Sequence, residues 1–248
     1  MLEAKPVWGG KYMKETIFKQ YDHVIFMSST ILDKNLFAEI NGLNKKFTKY
    51  FDSPSTFPLK NRPIIYMKGI GKMTFRKKEE TFQRQLKLLK KILEKHPEQK
   101  GIIHTGTYEI ARWLEEEHLS HRLIFHTNEN REEKLQIHLE TTDPTIIVSP
   151  SMVTGVDLKD DLSRFQVVMK IPYPYLGSEK IKQRMKTNKA WYDYATILNF
   201  IQMVGRSIRS NTDWAKTYIL DDSFSEILKT GSHLIPRYIS DAIKIFKV

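Results

Sequence analysis

The sequence predicts an α/β fold built on a mainly parallel sheet flanked by helices on both faces. From residue 101 onward, short apolar runs alternate with helical stretches across short links, the order of a parallel sheet covered by its own crossovers. A chain of 248 residues, 40% of them hydrophobic, can also bury one sizeable core. The expected division is a lead-in over 1–22 and one domain over 23–248.

Taken in order, Pro6, Gly9 and Gly10 interrupt any period before a short amphipathic piece over 12–18. The run His23-Val-Ile-Phe-Met27 predicts a buried strand that delivers Ser28, Ser29 and Thr30 at its tip. Asp33 is placed to cap a helix over 34–40, its carboxylate accepting from the free N–H groups of the first turn. Strands are expected over 46–51 and 63–67, with a loop over 52–58 between them. Phe82, Leu86, Leu89 and Leu93 mark the apolar face of a helix over 77–96 that Pro97 ends. There follow a strand over 101–104, a helix over 108–118, a strand over 123–125, and a helix over 129–140 capped by Thr127 or Asn128. Strands over 145–148 and 165–171, a basic helical stretch over 178–189 and a last strand over 217–220 come next, and helices finish the chain.

A helix is expected over 197–210, with Ile197, Ile201, Val204 and Ile208 on one stripe and Gln202, Arg206 and Arg209 on another. Gly205 lies beside the polar stripe, leaving room for a ligand or a facing backbone at a cost of roughly 1 kcal/mol of helix stability. In Gln-x-x-Gly-Arg-x-x-Arg the arginines suit phosphate, because a planar guanidinium donates bidentate hydrogen bonds and stays ionised. The plainer alternative is a basic surface helix.

The formal charge of +11 favours polyanionic partners, nucleic acid first. With no cysteine there is no disulfide, thiolate metal site or cysteine nucleophile. No apolar run approaches the ~20 residues of a membrane span and no signal-peptide pattern opens the chain, so a soluble, cytoplasmic protein is expected. The histidines offer no helical chelating pair, and no metal site is expected. Lys68-Gly-Ile-Gly-Lys72 is not a phosphate loop: Tyr66 stands where a glycine is required and Met73 where a hydroxyl must follow the lysine. Glu115-Glu-Glu-His118 lies on a helix rather than after a strand and is no acidic box. Ligands of open parallel sheets bind at the carboxyl ends of strands, which directs attention to His104-Thr-Gly-Thr-Tyr108 and Thr154-Gly-Val-Asp157.

Phe26-Met-Ser-Ser-Thr-Ile31, Ile102-Ile-His-Thr-Gly-Thr-Tyr108, the loop over 149–157 and Gln202-x-x-Gly-Arg-x-x-Arg209 together resemble motifs III to VI in the C-terminal half of XPD/DinG-like superfamily-two DNA helicases. Ser29 stands where relatives commonly carry alanine or glycine, a small-for-small change. The resemblance implies a RecA-like fold, with Arg209 as the arginine finger on the ATP γ-phosphate, Arg206 as a second phosphate or cleft contact and Gln202 as a nucleotide sensor. It places Gly155, Asp157 and Gly205 near the nucleotide, and Thr105, Gly106, Thr107, Tyr108, Ser149 and Thr154 on the DNA. Ser28, Ser29 and Thr30 would couple hydrolysis to strand movement. The implied cofactors are ATP and Mg²⁺ in the intact two-lobe enzyme, none held by this chain alone, because a Walker A loop and a strand-borne acidic box are missing. The implied partners are an N-terminal helicase lobe and single-stranded DNA, with movement 5′ to 3′ and no ATP hydrolysis by this chain alone. A noncatalytic nucleic-acid-binding α/β module and a regulatory relative without motor activity remain open as alternatives.

Overall fold

The computed structural model describes residues 5–150 and 157–248. Their helices are α1 (Gly10–Thr16), α2 (Lys34–Ile40), α3 (Lys78–Lys95), α4 (Tyr108–Glu116), α5 (Arg131–Glu140), α6 (Glu179–Thr187), α7 (Lys189–Val204), α8 (Phe224–Thr230) and α9 (Arg237–Ser240). The strands are β1 (Ile64–Lys68), β2 (Gly101–His104), β3 (Leu123–Phe125), β4 (Ile146–Ser149), β5 (Phe165–Val168), β6 (Lys216–Ile219) and β7 (Ile243–Lys247). They form one seven-stranded sheet in the order β3-β4-β2-β5-β6-β1-β7, and every pairing is parallel.

Strands β2, β4 and β5 are buried throughout, which explains the apolar pairs and triplets of β2 and β4; the one polar side chain inside β5, Gln166, donates to Val204 O and Thr217 Oγ1. Successive residues face opposite sides. Ile103, Val148 and Val167 pack under α3 and α4, Val168 packs with α7 and α8, and Ile102 and Ile147 meet Leu135 of α5. Phe82, Leu86, Leu89 and Leu93 are all buried on α3, as their spacing predicts, and Glu79 and Glu80 lie at its electropositive first turn. The Asp33 carboxylate caps α2, accepting from Asn35 N and Leu36 N at 2.8 Å each.

Four expectations need correction. Residues 23–27 are not a buried strand: no sheet neighbour receives them among the described residues, and Ile25 and Met27 are 84% and 91% exposed. A short apolar run registers hydrophobicity, whereas a strand also needs backbone partners. Residues 46–51 likewise form turn and coil, with Phe47 and Phe51 exposed. The sheet continues past β6 to β7, an edge strand whose Lys244 and Lys247 break the apolar pattern and blunt the edge. The helix expected over 197–210 stops at Val204; Gly205–Ser207 is a 3₁₀ turn and Ile208 is extended. Smaller shifts occur at α5, which begins at Arg131 because the Thr127 hydroxyl accepts from Glu129 N and Asn130 N and holds the entry in a turn.

Candidate functional site

The helix ending at Val204 separates the polar residues expected on one stripe. Gln202 stays on α7, Arg206 sits in the 3₁₀ turn, and Arg209 follows in extended chain. They nevertheless share a cleft of about 730 Å³, lined among others by Ser29, Thr30, Gln202, Gly205, Arg206 and Arg209. Ile64, Thr217 and Ala242, at the amino ends of β1, β6 and β7, form part of its floor. The Gln202 amide donates to Thr30 Oγ1 at 3.4 Å, and the Ser28 hydroxyl accepts from Thr30 N at 3.2 Å. The Ser-Ser-Thr segment is therefore joined to the end of α7 at Gln202. Gly205 has φ −77°, and a methyl group added there would meet nothing within 4 Å.

Arg209 Nε donates to Asp157 Oδ1 at 2.8 Å, with both side chains partly open to solvent. The Arg206 guanidinium is pulled below the usual arginine range by burial and by the Arg209 charge, with Asp157 opposing. Its carbonyl accepts from Leu158 N at 3.4 Å. Thr154 and Gly155, expected on the DNA and nucleotide sides, lie outside the described residues.

A second group gathers at the carboxyl ends of β2 and β4, away from the floor of that cleft. Thr105 is fully buried; its N–H reaches Ser149 O at 3.1 Å and its hydroxyl donates to Thr107 O at 3.1 Å. Ser149 is buried too, its hydroxyl 3.1 Å from His126 Nε2. Gly106, Thr107 and Tyr108 are the partly open members of this tip. Thr107 caps α4 by accepting from Ile110 N, and the Tyr108 hydroxyl bonds Asn128 Oδ1. Gly106 has φ +70°, and a Cβ would come within 3.2 Å of Lys170.

Several residues near these groups carried no sequence signal. Arg62 joins the first cleft with its guanidinium over the Tyr238 ring. Lys170 lies against Gly106, its ammonium pushed below the usual lysine range by burial. The buried Asp221 carboxylate accepts from Met73 N, Ile171 N and Ser223 N, tying three loops at this end of the sheet, and burial raises its pKa. Only adjacency in space marks such residues.

The glycine loop after β1 has a different occupant from phosphate. Asp222 accepts from Gly69 N at 3.0 Å, from Gly71 N at 2.9 Å and from the Tyr66 hydroxyl at 2.8 Å. Gly69 and Gly71 have φ +109° and +124°, which explains why glycine stands there. The donors that a phosphate loop would turn to a ligand are taken by the chain's own carboxylate. Among the described residues, no three histidine, aspartate or glutamate side chains gather to hold a metal, and no helix is long and apolar enough to cross a membrane.

Comparisons with known proteins bear on the family and the fold. A family model described as a helicase C-terminal domain matches residues 77–241. The chain is 28% identical over 88 residues to the ATP-dependent DNA helicase chl-1 of Caenorhabditis elegans, across 11% of that protein. It superimposes on two solved XPD helicase structures, one of them an apo form, with TM-scores of 0.67 and 0.70 at 15% and 16% identity; each match covers 96% of this chain. The chain spans 45% and 51% of those two structures. The parallel sheet with helices on both faces is thus a RecA-like fold shared with those two XPD structures, and the chain belongs to the helicase C-terminal domain family.

Proposed function

We propose that this chain is the C-terminal motor lobe of an ATP-dependent DNA helicase, moving 5′ to 3′ along single-stranded DNA. One observation carries the reading: two arginines and a glutamine converge on a single open cleft, and the glutamine is joined there to the Ser-Ser-Thr segment. Arg209 is the arginine finger, Arg206 a second phosphate contact and Gln202 the sensor that relays the nucleotide's presence to Thr30. These cationic and amide donors fit the phosphate end of ATP, which supplies the scissile phosphoanhydride when bound. Asp157 holds Arg209 until the nucleotide competes for it, Gly205 leaves room for the ligand's approach, and Gly155 is a further nucleotide contact in this reading.

The β-phosphate and Mg²⁺ belong to the N-terminal lobe, so this chain alone does not hydrolyse ATP. The exposed apolar segment containing Ile25 and Met27 supports the same partner, because a sheet in that lobe would supply the backbone neighbours it lacks. The DNA lies across the carboxyl-end tip, on Gly106, Thr107 and Tyr108, with Thr105 and Ser149 shaping the tip from below; Thr154 is a further DNA contact in this reading.

Arg209→Ala in the intact helicase tests the assignment. Loss of DNA-stimulated ATPase by roughly 10³- to 10⁵-fold, with single-strand affinity retained, is the expected outcome. A normal rate would remove Arg209 from the chemistry.

A further inference from the structure

Because α7 stops at Val204, no helical hydrogen bond fixes the backbone at Arg209. Its N–H instead meets Asp213 Oδ2 at 3.1 Å. The same oxygen accepts from Asp160 N at 3.2 Å. The other oxygen accepts from Arg164 Nη1 at 2.7 Å and from Trp214 N at 2.8 Å. The Asp213 side chain is entirely buried. Arg164 is enclosed in turn, donating to Asp161 and to Trp214 O, with its guanidinium 4.9 Å from the Trp214 ring centre.

One carboxylate thus ties the loop that carries Arg209 to the segment around Asp160, and the Arg209–Asp157 contact lies between the same two segments. Four donors meet two oxygens, a demand that only a carboxylate fills. An asparagine in its place offers one acceptor oxygen and turns an NH₂ group toward two of the donors. With no exposed surface, Asp213 cannot itself touch a nucleotide.

We propose that Asp213 is the positioning residue for Arg209, fixing the backbone from which the guanidinium reaches across the cleft; this rests on the reading of Arg209 as the arginine finger. Two measurements test it. In the chain itself, Asp213→Asn speeds amide hydrogen exchange at Arg209 and Asp160 by about tenfold or more, while core amides such as Ile103 and Val148 keep their protection.

In the intact helicase, the same change lowers kcat on the order of 100-fold, with KM for ATP and single-strand affinity within about twofold. In an Arg209→Ala background it costs at most about twofold more. Asp213→Glu keeps a carboxylate and its charge opposite Arg164 while its extra methylene shifts the acceptors of Arg209 N and Asp160 N, so it shows the same kcat-specific loss to a smaller degree and decides the matter if the amide variant fails to fold.

An unchanged kcat, or a full additional loss in the Arg209→Ala background, overturns the assignment of Asp213 while leaving Arg209 in place. If Arg209→Ala alone leaves the rate intact, the arginine-finger reading falls and the role of Asp213 falls with it.

Discussion

Gly205 needs neither its backbone freedom nor close packing, since its φ is −77° and the space beside it is open. Alanine there adds a methyl group facing the cleft. Gly205→Ala therefore leaves unfolding free energy within about 0.5 kcal/mol of the parent while raising KM for ATP several-fold in the intact helicase. Denaturant titration and steady-state kinetics separate the two, and an unchanged KM would mean the open space serves no ligand. The two arginines, Gln202 and the Ser-Ser-Thr segment were legible because their types and spacing repeat a known pattern. Asp213 and Asp222 were not: each acts by accepting N–H groups brought to it from distant segments, which no local pattern records.

At the scale of elements, periodicity located α3, α4 and strands β2 to β5 because each meets its environment through many residues at once. It failed where one feature decides. Gly205 is followed by Arg-Ser-Ile-Arg, which continues a helical pattern that the chain itself abandons, and β7 is read only through its partner β1. Two buried histidines give β2 and α5 a dependence on acidity. Burial pushes the His104 pKa down to about 4, with the Arg206 charge adding and Gln166 opposing. Burial also takes His138 to about 4, with Lys100 adding to the shift; its ring nitrogens lie 2.9 Å from Thr145 Oγ1 and 3.0 Å from Leu162 O. Because the unfolded histidine titrates near 6.5, this stability is fully present above pH 6.5 and is lost as pH falls toward 4, by on the order of 3 kcal/mol for each residue. Urea midpoints should drop between about pH 7 and about pH 5. His138→Gln should flatten that slope, whereas a flat profile in the parent would show that neither ring is held neutral.

Over the whole molecule, the charge of +11 sets how the chain meets a polyanion. If about four phosphates are neutralised, single-strand affinity of the chain alone should weaken roughly 50-fold between about 50 and about 200 mM salt. A fluorescence anisotropy titration measures this, and affinity indifferent to salt would contradict a phosphate-led contact. Topology has a further consequence, in the order of assembly. Strand β1 lies between β6 and β7, both contributed from far along the chain, whereas β2 finds β4 and β5 within a shorter span. Closing the longer loops costs more chain entropy before any contact offsets it. The β2–β5 half can assemble while synthesis is still under way. Ile64 must wait for Ile243, leaving an unpaired sheet edge beside the hydrophobic core until the final strand arrives.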